Sequence, residues 1–257
     1  MNENENLRKV LDRSGFPLQV RLEKITDDAP NWSIDGNEIY WERDNYSGFI
    51  DTVYSGINFP KKVISEVKKT SGGEWIFLLE KNDGSILHNF VALSSIVKSS
   101  SNLTWDTSAT DHTTHRSSFC IVNGQDKNRP MLEGLCTNLL IATEAFAKKD
   151  VEEIIKENRG VKNLQYIPVV ITNTPLYICK YDSSAVNLKT GIIDGDAEFE
   201  RVDSVAFQKP LKTTIGSESI NDLASNYKYN KAQDRTVFVV HSSAFASFLN
   251  DLDPNIS

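Results

Sequence analysis

Three cysteines, Cys120, Cys136 and Cys179, are all the chain contains, and they lie far apart with no CxxC pair among them. Such a set indicates neither a disulfide framework nor a zinc knuckle, and it fits a reducing cytoplasm. No apolar run approaches the roughly 18 residues that cross a bilayer, so no membrane partner is expected. The opening residues, MNENENLRKV, are polar and acidic, without an apolar stretch behind a basic start, so no secretory signal is expected either. There is no Walker-type loop and no dinucleotide fingerprint; the glycines of SGG (71–73) and KNDG (81–84) read as turns. Basic residues are also in deficit. The 28 Lys and Arg stand against 35 Asp and Glu, a net charge of −7, which argues against a free-standing, non-specific nucleic-acid binder but leaves room for a local basic groove.

What remains is an ordinary soluble, globular composition, 39% hydrophobic and 25% charged, in a chain of 257 residues that can bury a substantial core. Leu7, Val10 and Leu11 have helical spacing, ended by Ser14-Gly15. Pro17 suits the first turn of a second helix, with Leu18, Leu22 and Ile25 on one side and Gln19 and Glu23 sharing another. Three strand-like runs follow, Glu38 to Arg43, Phe49 to Tyr54 and Val63 to Lys69, separated by turn-like DNYSG and SGINFP. Trp75 to Glu80 and Ile86 to Leu93 make two more. Residues 94–118, rich in Ser and Thr, read as a long surface connection.

The longest helical pattern starts at Pro130, with Leu132, Cys136, Leu139, Leu140 and Thr143 as its apolar stripe and Val151, Ile154 and Ile155 continuing it. A stripe of that length needs a buried partner. Beyond Gly160 come strands at Tyr166 to Thr172 and Leu176 to Tyr181, a polar helix near 217–231, a strand at Thr236 to His241 and a last helix around Phe245 to Leu249. The histidines draw little attention: His112 and His115 read as solvated loop residues, and His88 and His241 as structural residues of strands.

One constellation carries chemistry. Side chains two apart on a strand share a face, so Glu66 and Lys68 stand side by side, about 6 to 7 Å apart. Asp51 lies on the preceding strand, and antiparallel neighbours are about 4.8 Å apart, so its carboxylate can meet that of Glu66 if the register allows. Converging carboxylates repel and are reconciled by a cation. Hard oxygen ligands suit Mg or Mn. The blander alternative is a solvated strand face with a weak surface pair.

GFIDTV, VISEVKKT and EWIFL together resemble the PD-(D/E)XK nuclease superfamily, the restriction-endonuclease-like fold, over roughly residues 17 to 175. The resemblance implies an α/β (α+β) class with a core order of helix, three strands, helix, strand. It implies a mixed sheet flanked by helices, in one elaborated domain spanning 1–257, with residues from about 176 onward as a C-terminal α/β extension. Asp51 and Glu66 match the two motif acids, here the metal ligands, and Lys68 the motif lysine. Glu23 is the candidate for an auxiliary acid from the first core helix. Ile50 departs from the motif's nominal proline. The activity implied is Mg- or Mn-dependent hydrolysis of phosphodiester bonds, DNA before RNA, in a prokaryotic restriction or defence context, with a homodimer or a partner protein of such a system as the assembly. The alternative is a nuclease fold without cleavage, used as a binding or scaffolding subunit.

Overall fold

The computed structural model describes residues 3–70, 72–81, 86–99, 102–123, 131–157, 162–208 and 235–254. Two helices come first. α1 spans Glu3–Arg13 and α2 spans Phe16–Leu22, the latter with Pro17 in its first turn, where a missing N–H costs nothing. Three long antiparallel strands follow, β1 (Trp32–Arg43), β2 (Tyr46–Gly56) and β3 (Lys61–Lys68). The β1–β2 turn is Asp44-Asn45, with Asp44 at φ 52°, a left-handed position that a short acidic side chain tolerates. After β4 (Trp75–Glu80), β5 (Ile86–Ser99), β6 (Asn102–Ser117) and β7 (Cys120–Val122) comes the long helix α3 (Met131–Lys156). The described remainder comprises β8 (Lys162–Thr172), β9 (Leu176–Tyr181), β10 (Glu198–Val202), β11 (Ser204–Gln208), β12 (Thr236–His241) and α4 (Phe245–Asp251).

The protein is a mixed α/β structure whose large mixed sheet is flanked by helices. That sheet has the order β1-β2-β3-β8-β12-β11-β6-β5, and a smaller one has the order β10-β9-β4-β7. β1, β2 and β3 pair antiparallel; β3 and β8 pair parallel over Lys61–Lys68 and Gln165–Thr172. β8 gives its other edge to two strands. β12 takes Val169–Thr172 and β5 takes Lys162–Tyr166. Since β5 pairs with β6, β6 with β11 and β11 with β12, the hydrogen bonds close into a circuit through β8.

The apolar stripe of α3 finds the partner its spacing requires. Leu132, Cys136, Leu139 and Leu140 belong to one buried cluster with Ile50, Val53, Ile64 and Val170 of the large sheet, and with Trp75, Phe77, Leu176 and Ile178 of the small one. Every residue from Leu139 to Glu144 is buried, which a helix covered on one side cannot achieve, so α3 is enclosed between the two sheets. A second cluster covers the opposite side of the large sheet, where Leu22, Ile25 and the Phe245, Phe248 and Leu249 side chains of α4 pack on Tyr54, Val63, Ile167, Val169 and Phe238.

Three expectations need correction or fall outside the described residues. The Ser/Thr-rich stretch is not a connection: it forms the end of β5 and the whole of β6, a long hairpin. Its threonines are β-branched and suit a strand even where the neighbouring side chains are polar. His112 and His115 therefore sit on β6, each only 7% exposed, rather than in a solvated loop. The polar helix near 217–231 lies outside the described residues.

Candidate functional site

Near the C-terminal end of β3 the β2–β3 ladder runs out. Its last paired residues toward that end are Thr52 and Ser65, and one step further the strands present Asp51 and Glu66 to each other. The backbone pattern does not continue there. Instead the Val67 N–H donates to Asp51 Oδ2 at 2.6 Å, so the carboxylate itself takes over a ladder position and is fixed beside β3.

The two acids are partly buried and act on each other. Burial is the largest effect raising the Glu66 carboxyl, which is pushed up to about 7; the charge of Asp51 adds to the rise, Lys68 opposes it and Glu38 adds again. Burial also raises Asp51, opposed by the Val67 N–H and by Lys68 and reinforced by Glu38. The charges of Asp51 and Lys68 both act on Glu66, and that of Lys68 acts on Asp51 as well. Glu23 occupies a different position. It caps the C-terminus of α2, and its charge acts on Tyr54, a buried phenol raised by burial first and by Glu23 and Asp51 after it. The Tyr54 hydroxyl donates to the carbonyl of Leu22 at 3.1 Å, next to that cap.

The acid that joins the pair is Glu38, which sequence reasoning missed. In the β1–β2 register Asn37 faces Thr52 and Ile39 faces Ile50, so Glu38 stands opposite Asp51. Its φ of 49° is in the left-handed region, uncommon for a residue with a side chain and a mark of local strain within a strand. The side-chain amide of Gln19, itself 8% exposed, donates to Glu38 Oε1 and restrains it from α2. The one available signal was Gln19 on the second helix. It shares a face of that helix with Glu23, and its spacing carries no pointer to β1.

On the α3 side Glu66 lines a groove of about 210 Å³ with Trp41, Phe49, Leu135, Asn138 and Leu139 among its walls. Gly48 keeps this groove open. A Cβ there would come within 3.3 Å of the Trp41 indole nitrogen. A larger cleft of about 440 Å³ lies elsewhere, between β6, β11 and α4, and contains His112, His115, Ser204 and Asp251 but none of the motif residues.

The donor chemistry of the pair suits a hard divalent cation. Two partly buried carboxyls held above their ordinary range by burial first and by neighbouring carboxylates after it gain from a charge that neutralises both, and Asp51 keeps one oxygen outside its bond to Val67. Among the described residues no group of three or more His, Cys, Asp or Glu side chains lies close enough together to hold a metal ion. Glu38 acts on the pair through its charge, and Asp51 and Glu66 are the two carboxyls that would hold such a cation. Comparisons of the chain with protein-family models, with curated proteins and with solved structures found no match.

Proposed function

We propose that the chain is a Mg- or Mn-dependent nuclease that hydrolyses phosphodiester bonds, DNA before RNA, and that it serves a prokaryotic restriction or defence system. The observation that carries this reading is the meeting of Asp51 and Glu66 where β2 and β3 part, with Lys68 beside them. In further support, α2, β1, β2 and β3 are followed, after the inserted strands β4–β7, by α3 and by β8, which pairs parallel with β3; with that insertion set aside the order is the helix, three strands, helix, strand that goes with the motif.

In this reading Asp51 and Glu66 hold the cation. When bound, it supplies positive charge for a phosphate and a more acidic water. Asp51 is oriented by the Val67 N–H. Lys68 brings three N–H donors to the same point, where it orients the attacking water and stabilises the charge that develops on the phosphoryl oxygens. Gln19 fixes Glu38, whose negative field strengthens the hold of the pair on a cation. The aromatic wall beside Glu66 offers a surface for the base or sugar next to the scissile bond.

The test is incubation of the protein with single- and double-stranded DNA and RNA in Mg or Mn. Lys68→Ala should suppress cleavage far more than it weakens metal binding, whereas Asp51→Ala and Glu66→Ala should lower both. Arginine at position 68 should rescue poorly, because it lacks the compact amine. Equal cleavage by wild type and Lys68→Ala would remove Lys68 from the mechanism. A second reading, a binding or scaffolding subunit without cleavage, is favoured by the commitment of one Asp51 oxygen to the backbone. Absence of cleavage across both metals and all four substrates would select it.

A further inference from the structure

The first helix has an apolar face that the other described residues leave exposed. Leu7, Val10 and Leu11 of α1 are 56%, 66% and 60% exposed, and α2, which turns Leu18 and Leu22 inward, leaves Phe16 and Val20 69% and 54% exposed. Together these five side chains show roughly 600 Å² of surface, at the upper end of the largest patch a typical monomer carries. A helix as short as α1 is marginal by itself in water. Its ties to the body include its contact with α2 and the Lys69 ammonium, which donates to the Asp12 carbonyl. The stripe needs a partner.

We propose that this partner is a second copy of the chain, with the two α1 helices packed antiparallel about a two-fold axis. An isologous contact must be self-complementary, and the charges of α1 are arranged for that. Arg8 and Asp12, four apart, lie along the same border of the Leu7-Val10-Leu11 stripe, and their side chains hold no hydrogen bond or ion pair among the described residues. Antiparallel packing centred near Lys9 sets Leu7 against Leu11 of the second copy. The same borders then meet, so Arg8 faces Asp12 of the second copy and Asp12 faces its Arg8. Parallel packing would set this border against the opposite one and lose the reciprocal Arg8–Asp12 pairs. The patch is smaller than the roughly 800 Å² per partner of a standard interface, so the dimer is weak, with a dissociation constant on the order of 10 µM. None of this depends on the nuclease reading.

The test is sedimentation of the full chain from about 1 to 300 µM, a range that brackets that constant. A monomer–dimer equilibrium is expected, and Leu11→Asp should weaken it at least about tenfold. Arg8→Asp should weaken it as well, and adding Asp12→Arg to that variant should restore it, with circular dichroism showing that each variant keeps its fold. A monomer across the whole range, or a dimer indifferent to Leu11→Asp, would overturn the proposal. A monomer that binds vesicles of anionic lipid would assign the stripe to a membrane surface instead. Failure of the double exchange to recover what Arg8→Asp loses would overturn the antiparallel pairing.

Discussion

Glu144 and Glu66 are both carboxylates withdrawn from water, and the structure treats them in opposite ways. Glu144, on α3 and 0% exposed, is gripped from two sides: Arg43 Nη1 lies 2.6 Å from its Oε2 and Arg235 Nη1 lies 3.2 Å from its Oε1. This cluster ties the end of β1 and the start of β12 to the enclosed helix. Glu66 has one lysine and two further acids around it, and its carboxyl rises to about 7, with burial the first cause. The first site meets its carboxylate with two guanidinium groups of the same chain. The second is left with an unmet demand for positive charge, the condition expected of a group that waits for a ligand.

Four measurements would break or sharpen that contrast. The largest effect belongs to Glu144→Ala, which leaves two arginines buried without their carboxylate. Urea denaturation should show a loss of about 3 to 5 kcal/mol. Glu66→Gln should do the reverse at alkaline pH. The folded state keeps the Glu66 proton up to about 7, while the unfolded chain has released it near the ordinary value of 4.5, so stability falls as pH rises through that window. Glutamine mimics the protonated form, and denaturation at pH 8 should show it more stable than wild type by about 1 to 3 kcal/mol, with no difference near pH 5.

The third measurement is metal protection. Mg at about 100 times its dissociation constant should stabilise the wild type at pH 8 by up to about 2.7 kcal/mol, and calorimetry should show affinity falling by up to about tenfold per pH unit below 7. Asp51→Ala should remove both effects, and Glu144 should play no part in either. The smallest effect is that of Gln19→Leu, which frees Glu38. It should cost about 1 kcal/mol in denaturation and weaken Mg binding in the same assay.

Features set by local pattern were legible in the sequence. The α3 stripe, the β1–β3 strands and the Asp51, Glu66 and Lys68 spacing follow from periods of 3.6 and 2 and from turns that neighbouring residues specify. β6 was missed because threonine and serine signal both strand and loop, and only pairing with β5 and β11 decides between them. β7, β10 and β11 run from 3 to 5 residues, too short to show a period. Glu38 was missed for another reason. Its place beside Asp51 is a matter of register between two strands and of a left-handed backbone, and neither is written in the residues around it. The same holds for Glu144, whose two arginines come from residues 43 and 235.

The threefold sharing of β8 governs how the protein can be assembled. That strand receives residues 61–68 on one edge and residues 93–97 and 238–241 on the other, so its neighbours are drawn from nearly the whole chain. During synthesis the first two can dock as soon as β8 emerges, but the stretch Val169–Thr172 keeps bare backbone donors and acceptors until β12 has left the ribosome. That edge is apolar and β-branched, a template on which another nascent chain can align. A chain stopped short of residue 236 would be left permanently in that condition, prone to aggregate even though every element up to β11 had been made.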